Sequence, residues 1–185
     1  MKVVLASKSP RRKELLHLLF EDFEIRVSDA DEHTEFSGPG EYVEKLAHKK
    51  AMAVEKKDDE LLIGADTIVF AEGRILGKPS SREDAAEMIR SLSGKKHSVY
   101  TGVSLSYQGR EMLFHEKTDV FFRDIDEDEI SRYLDVASYM DKAGAYAIQE
   151  HAVRFIEKIE GDYNNVVGLP VFRIAERLKE YGISV

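Results

Sequence analysis

Two arginines, a lysine and two serines crowd into the segment SKSPRR at residues 7–12. Side chains of these types converge usefully on one kind of ligand. Backbone amides at a helix start, the positive end of the helix dipole and two guanidinium groups all favour an anion. Without a ligand the arrangement is mildly unfavourable, because cations at a helix N-terminus oppose the macrodipole. A second centre is Asp66, which follows the apolar run 61–63 at a break marked by Gly64. A carboxylate in that position costs packing energy unless it is hydrogen-bonded or bound to a cation. Mg2+ takes one or two carboxylates plus substrate phosphates, so Asp66 with Asp31 or Glu32 from the preceding acidic loop would suffice. The plain alternatives are a turn-forming Asp and a loop of merely solvated acids. DKAGAYAIQ (141–149) and GDYNNVVGLP (161–170) look like loops of glycine, small residues and amides. In the first, Lys142 and Gln149 can hydrogen-bond a phosphate or a base edge.

Other chemistries find no support. GRILGKP (73–79) has too few residues between its glycines for a P-loop, and Pro79 stands where a Mg2+-binding hydroxyl is needed. GVSLS (102–106) lacks the second glycine of a nucleophile elbow. The six histidines form no HExxH pair, and His97 and His115 fall in strand patterns as packing residues. Cysteine is absent, which removes disulfides, Cys-ligated metals and thiol nucleophiles. A net charge of −8 disfavours nucleic acid and anionic membrane as partners. Yet the first 20 residues hold Lys2, Lys8, Arg11, Arg12 and Lys13 against Glu14 alone. One cationic pocket in an acidic protein suits a small anionic ligand. The short apolar stretch 3–6 is no export signal, and no run reaches the ~20 residues of a membrane span. A soluble, cytoplasmic protein is expected.

These groups need a scaffold. The β-branched run 3–6 leads into SKSPRR and then into leucines at helical spacing, with Ser9 as N-cap and Pro10 as first helical residue. Residues 24–28 alternate as a strand. Residues 41–57 carry an apolar helical stripe on which Lys50 is the odd charge. Strands are expected at 61–70 and 75–77, a helix at 81–92, and a long hairpin through Gln108-Gly109 joining 97–107 to 112–125. A helix at 126–135, a strand at 152–160 and a helix at 170–181 complete a mixed α/β fold. A length of 185 residues fits one domain, with or without two lobes.

Seven segments in order, ASKSPRRKELL, LAHKKA, GADTIV, LGKP, LSGKKHSVYTGV, DKAGAYAIQ and GDYNNVVGLP, resemble the Maf family of septum-formation-inhibitor proteins, which are nucleoside triphosphate pyrophosphatases. The resemblance implies one domain over 1–185, with two lobes about a cleft and an elongated, bent sheet like that of inosine-triphosphate pyrophosphatases. It further implies a homodimer, Mg2+ (or Mn2+) dependence and cleavage of a nucleoside triphosphate to monophosphate and pyrophosphate. By position, Asp66 is the proton acceptor, and Lys50, Lys78, Arg11 and Arg12 are its cationic companions. Ser7 and Ser9 belong to the substrate-binding segment. Arg11, Thr67 and Gln149 match the subgroup that acts on dTTP and UTP, a range that includes modified pyrimidine nucleotides. The subgroup acting on methylated GTP has Trp, Gln and Glu at those places. Ala147, the segment 150–152 and the segment 138–140 depart from the family pattern without removing a catalytic group.

The expected mechanism has Arg11, Arg12, Lys50 and Lys78 holding the triphosphate. Mg2+, bound through Glu32 and Asp66, neutralises charge, and Asp66 activates water at the α-phosphorus. Asp31 and Glu32 exchange roles if the register shifts by one. Nucleotide-pool cleansing and cell-division arrest are the associated roles. The rival is a nucleotide-sensing regulator of septum formation that binds without hydrolysing.

Overall fold

The computed structural model describes residues 1–27, 30 and 33–185. Strand β1 (Lys2–Ala6) is followed by helix α1 (Pro10–Leu16), the short strand β2 (Glu24–Ile25) and helix α2 (Pro39–Met52). The long strand β3 (Glu60–Ala71) turns through Glu72 and Gly73, both left-handed, into β4 (Arg74–Leu76). Helix α3 (Arg82–Leu92) leads to the hairpin β5 (Lys96–Tyr107) and β6 (Arg110–Phe122). Helix α4 (Glu127–Val136), strand β7 (Ile156–Glu160) and helices α5 (Tyr163–Val167) and α6 (Val171–Leu178) finish the chain.

Among the described residues, seven strands form one mixed sheet in the order β2-β1-β3-β5-β6-β7, with β4 paired to the far end of β3. β1 runs parallel to β2 and β3, and the remaining pairs are antiparallel. Among the described residues, no helix is long and apolar enough to cross a membrane.

Helix ends follow their capping residues. Ser9, Ser81 and Asp126 each accept a backbone N–H in the first turn, and Asp126 with Glu129 forms a reciprocal capping box. The β5–β6 hairpin turns on Gln108 and Gly109, both at positive φ, as a two-residue connection between right-twisted strands requires.

Four expectations need correction. The strand expected at 24–28 pairs only at Glu24–Ile25; Arg26 still donates its N–H to Leu5, and Ser28 lies outside the described residues. Helix α2 stops at Met52 rather than 57, because the chain must turn back to β3, where the Lys57 N–H binds the Glu60 carboxylate at 3.0 Å. Residues His151–Phe155 form a 3-10 turn that drives Phe155 into the core, leaving only 156–160 as strand. The loop at 161–170 contains α5, capped by Asp162 and ended by Gly168 at φ 129°.

β3 runs through two hydrophobic clusters. Leu61, Ile63 and Ala65 pack with β1, α1 and α6, whereas Val69 and Ala71 pack with α3 and α4. Thr67 shares their face of the strand and stands at the changeover. On the opposite face α2 lies against the sheet at Gly64 and Gly102. A Cβ on Gly64 would come within 2.5 Å of the Ala47 carbonyl oxygen, and one on Gly102 within 2.2 Å of the Val43 carbonyl oxygen.

At the edge of the sheet, Arg26 binds both oxygens of Glu60 (2.6 and 2.7 Å) and both of Glu24 (2.7 and 2.9 Å). Hydrogen bonds from Arg26 bring both carboxyls down from the usual 4.5 to about 2. Depressed pKa values stabilise the fold above pH 4.5, and that contribution is lost as the pH falls through about 2. Arg26→Met is expected to lower the free energy of unfolding at pH 7 and to converge on the wild type near pH 2, as measured by urea titration at a series of pH values. An equal loss at both ends would mean that the guanidinium acts through packing alone.

Candidate active site

The chain leaves β1 at Ala6, turns through Ser7 and enters α1 under the Ser9 cap, whose hydroxyl accepts the Arg12 N–H at 3.4 Å. Arg12 is gripped on three sides. Its Nε donates to the Gly168 carbonyl (2.9 Å), Nη1 to Ser7 Oγ (3.3 Å) and Nη2 to Thr67 Oγ1 (3.0 Å). A directional ladder continues from there. The Thr101 hydroxyl donates to the Asn165 carbonyl at 3.0 Å, so its oxygen must accept from Thr67 at 2.9 Å. Asn165 Nδ2 donates to Thr118 Oγ1 (3.0 Å) and to the Val99 carbonyl (3.1 Å), and Thr118 donates to the Asp162 carbonyl (2.9 Å). Thr101, Thr118 and Asn165 are fully buried. Arg12 thus ties the N-terminal segment, β3 and the 162–168 segment together. The guanidinium that the sequence assigns to phosphate also serves the fold.

On the other face of β3, Asp66 pairs in register with Gly102, and the Lys50 ammonium from α2 lies 2.5 Å from its Oδ1. Lys50 is on the apolar stripe of α2 because that side of the helix meets Asp66. Asp66 is 8% exposed. It opens into a cleft of about 360 Å³ that Ser9, Arg11, Arg12, Thr67, Lys78 and Gln149 also line. Ser7 lines an adjoining bay shared with Arg11, Arg12, Lys50 and Lys78. The site residues expected from the sequence therefore meet in one place, except that Asp31 and Glu32 lie outside the described residues. The lining is chemically mixed: Arg11, Lys50 and Lys78 are cationic, while Val69, Leu76, Val99 and Tyr146 present apolar surface.

Asp141 lines both the cleft and the adjoining bay. Its Oδ2 accepts from Arg11 at 3.4 Å and its Oδ1 from Lys142 at 3.0 Å. Partial burial opposes its charge, but Lys142 and Arg11 outweigh it and hold the carboxyl below its usual range. Lys142 is buried and also binds the Ser138 carbonyl and Glu150, so it organises its own loop. His97 is a packing residue as expected: its Nε2 is 2.7 Å from Tyr146 Oη, and burial pushes its pKa down to about 4. His115, also expected to pack, lies half-exposed beside Glu44 at 2.6 Å.

The fold is shared with a solved structure, that of the Staphylococcus aureus Ham1 protein, at a TM-score of 0.59 and 15% identity, covering 98% of this chain and 100% of that one. In sequence, the profile described as "Maf-like protein" matches residues 2–181. Proteins named dTTP/UTP pyrophosphatase in Bacillus cereus (strain B4264) and Bacillus anthracis (strain CDC 684 / NRRL 3495) are each 47% identical over 186 residues, with 100% of this chain and 97% of the relative covered. The chain belongs to the Maf-like family.

Sequence reasoning did not single out four features of this Maf-like protein: Asp141, Thr101, Asn165 and the glycine pair under α2. One signal was available: Asp162 with Gly168 is a cap pair for a short helix. The cross-strand partners of 66 and 67 lie on β5, beyond β4 and α3, so no local turn sets their register. Asn165 and Asp141 become meaningful only through contacts 64 and 130 residues distant in sequence.

Thr101→Val keeps the shape and removes the hydroxyl in the middle of the ladder. The Thr67 proton and the Asn165 carbonyl are then left unmatched, a loss of about 1–3 kcal/mol in urea unfolding. Thr101→Ser should recover most of it. If valine is neutral, the ladder is not what joins the 162–168 segment to β3.

Proposed function

We propose that this Maf-like protein hydrolyses dTTP and UTP to the monophosphate and pyrophosphate, with Mg2+ (or Mn2+) as cofactor. The observation that carries the reading is Asp66, a nearly buried carboxylate in a cleft lined by both cationic and apolar side chains. A triphosphate suits the first and a base the second. The names of the full-length relatives support pyrimidine triphosphates as the substrate class.

Arg11 and Lys78 flank the mouth and bind phosphate oxygens, with the Arg12 side chain fixed behind them. Lys50 holds the Asp66 carboxylate in one orientation. Asp66 takes a proton from water as its oxygen attacks the α-phosphorus. The bond from the α-phosphorus to the bridging oxygen breaks, and that oxygen leaves with pyrophosphate. Mg2+ fits the donor chemistry. Among the described residues there is no ready-made cage of three or more His, Asp or Glu, and Mg2+ asks only for one or two carboxylates completed by substrate phosphates. Asp66 would hold it, with Glu32 or Asp31 as the second acid. When bound, the ion supplies neutralisation of charge on the cleaved anhydride. Modified pyrimidine nucleotides, homodimerisation and a cytoplasmic role in nucleotide-pool cleansing and cell-division arrest extend the reading and rest on the family resemblance.

Asp66→Asn is nearly isosteric and should fold, but lose ~10²-fold or more in kcat as the proton acceptor and a metal ligand go together. Pyrophosphate release from UTP with Mg2+ measures it; unchanged turnover sinks the mechanism. Nucleotide binding by the wild type with no product across a broad substrate panel would favour the regulator instead.

Gln149 stands at the rim of the cleft with a donor and an acceptor, matching the alternating carbonyl and N–H edge of uracil or thymine. An ionised Glu can only accept. Gln149→Glu should therefore lower kcat/KM for UTP and dTTP relative to GTP and N7-methyl-GTP by ~10-fold or more, because the wrong edge leaves polar groups unpaired. If the pyrimidine-to-purine ratio stays fixed, base choice lies elsewhere in the cleft.

A further inference from the structure

Part of the cleft lining comes from a loop that packs against Val69 of β3 and is held in a backbone shape that alanine disfavours. Gly144 (φ 68°, ψ 12°) and Ala145 (φ 62°) are successive left-handed residues. Glycine takes this conformation freely, whereas at Ala145 the side chain makes it strained, and such strain persists only where the surroundings over-determine it. The surroundings here are identifiable. The Gly144 N–H donates to the Gly77 carbonyl at 3.0 Å, one residue before Lys78, and a Cβ on Gly144 would meet Val69 at 3.0 Å. The Ala145 N–H donates to the Lys142 carbonyl at 3.1 Å. The Ala145 carbonyl, in a residue with no exposed surface, accepts the Tyr133 hydroxyl at 2.9 Å.

Tyr133 is not in the cleft. It sits on α4, 1% exposed, with its ring edge-on to Phe155 at 5.2 Å. The residues that follow Ala145 are in the cleft: Tyr146, Ala147 and Gln149 line it. We propose that Tyr133 is a positioning residue for nucleotide recognition: its hydroxyl holds Ala145 left-handed, and this presents Tyr146, Ala147 and Gln149 to the base end of the substrate. The proposal rests on the reading of the cleft as a pyrimidine nucleotide site. Without the hydroxyl, the strained alanine relaxes in a fraction of molecules, and substrate must select the remainder. Affinity then falls by that fraction, while the chemistry in the bound state is unchanged. The phosphate end, built from α1, α2 and the segment after β4, is unaffected.

The test uses the full chain with Tyr133→Phe, Ala145→Gly and the double variant. Phenylalanine keeps the ring in the core, and glycine removes the strain that the hydroxyl opposes. Tyr133→Phe should raise KM for UTP by about 5–10-fold with kcat within about twofold of wild type. The inhibition constant of inorganic triphosphate should stay fixed. Adding Ala145→Gly should lower KM again by about threefold or more, because the left-handed conformation is now unstrained. A general loss of folding would lower activity towards every ligand alike, and glycine would not restore it. The proposal is overturned if KM for UTP and inhibition by triphosphate move together, or if the double variant is no better than Tyr133→Phe. Amide hydrogen exchange at 145–147 in the free protein gives a readout that does not depend on the substrate being UTP. Exchange should be about tenfold faster in Tyr133→Phe and slowed again in the double variant. Should wild type release no pyrophosphate from UTP, the proposed activity fails on its own. Unchanged exchange in Tyr133→Phe overturns the positioning role whatever the substrate.

Discussion

Everything at the site depends on how closely α2 approaches the sheet. Gly64 on β3 and Gly102 on β5 lie beneath it, and the backbone carbonyls of Ala47 and Val43 occupy the space where side chains would stand. This close seating brings Lys50 within reach of Asp66 and lets α2 bury Val43, Leu46, Ala47 and Ala51. A side chain at either glycine would overlap these carbonyls, so the helix or the strand would have to shift and the Lys50–Asp66 contact would loosen. Weakening that contact leaves a nearly buried carboxylate short of its cation, a costly state. The glycines at 64 and 102 are therefore a positional requirement of the site as well as a packing preference.

The second organising feature is the changeover between the two hydrophobic clusters. A strand that passes from one core to another must carry its polar residues where the two meet, since they would be unsatisfied inside either. Thr67 and Thr101 sit side by side at that point, and their hydroxyls lead inward from Arg12 to Asn165. Each hydroxyl donates once and accepts once, so the ladder has a single direction and no unmatched proton. The result is a rigid polar seam between two apolar blocks, with the cleft opening along it. Function is concentrated at the seam because polar groups are tolerated there.

Much of this is legible in the sequence, for reasons that differ by element. The start of α1 is set by Ser9 and Pro10, the β5–β6 hairpin by Gln108-Gly109, and α4 by Asp126 and Glu129; each is a local signal that tertiary contacts did not override. The end of α2 and the start of β7 are not local. One is decided by Glu60 capturing the Lys57 amide, the other by Phe155 entering the core. Among the site residues, Arg11, Arg12, Lys50, Asp66, Thr67, Lys78 and Gln149 stand out because charged or amide groups in apolar or glycine-marked contexts need a reason. Thr101 and Asn165 look ordinary in sequence, since a threonine in a strand and an asparagine in a loop need none. Their importance lies in what faces them across the fold.

The charges about the cleft show how an acidic protein keeps a site for a polyanion. Among the described residues, Lys50 faces Asp66 and Arg11 faces Asp141, so the site is not a bare positive field that would draw in any anion. The two pairs differ in depth. The Arg11–Asp141 contact is long, 3.4 Å, and its carboxylate is 56% exposed, which places it among surface pairs worth about 0–1 kcal/mol. Replacing Asp141 with a phosphate oxygen costs little and gains a stronger charge-assisted bond. The Lys50–Asp66 pair is shorter and far less exposed. Separating it would leave a desolvated carboxylate, so it stays intact while substrate enters. Substrate thus exchanges partners at the rim and meets a fixed arrangement at the floor. That order of rigidity is what a hydrolytic site needs: adaptable contacts where a flexible triphosphate is gathered, and an immobile carboxylate where water must be aimed at a single phosphorus.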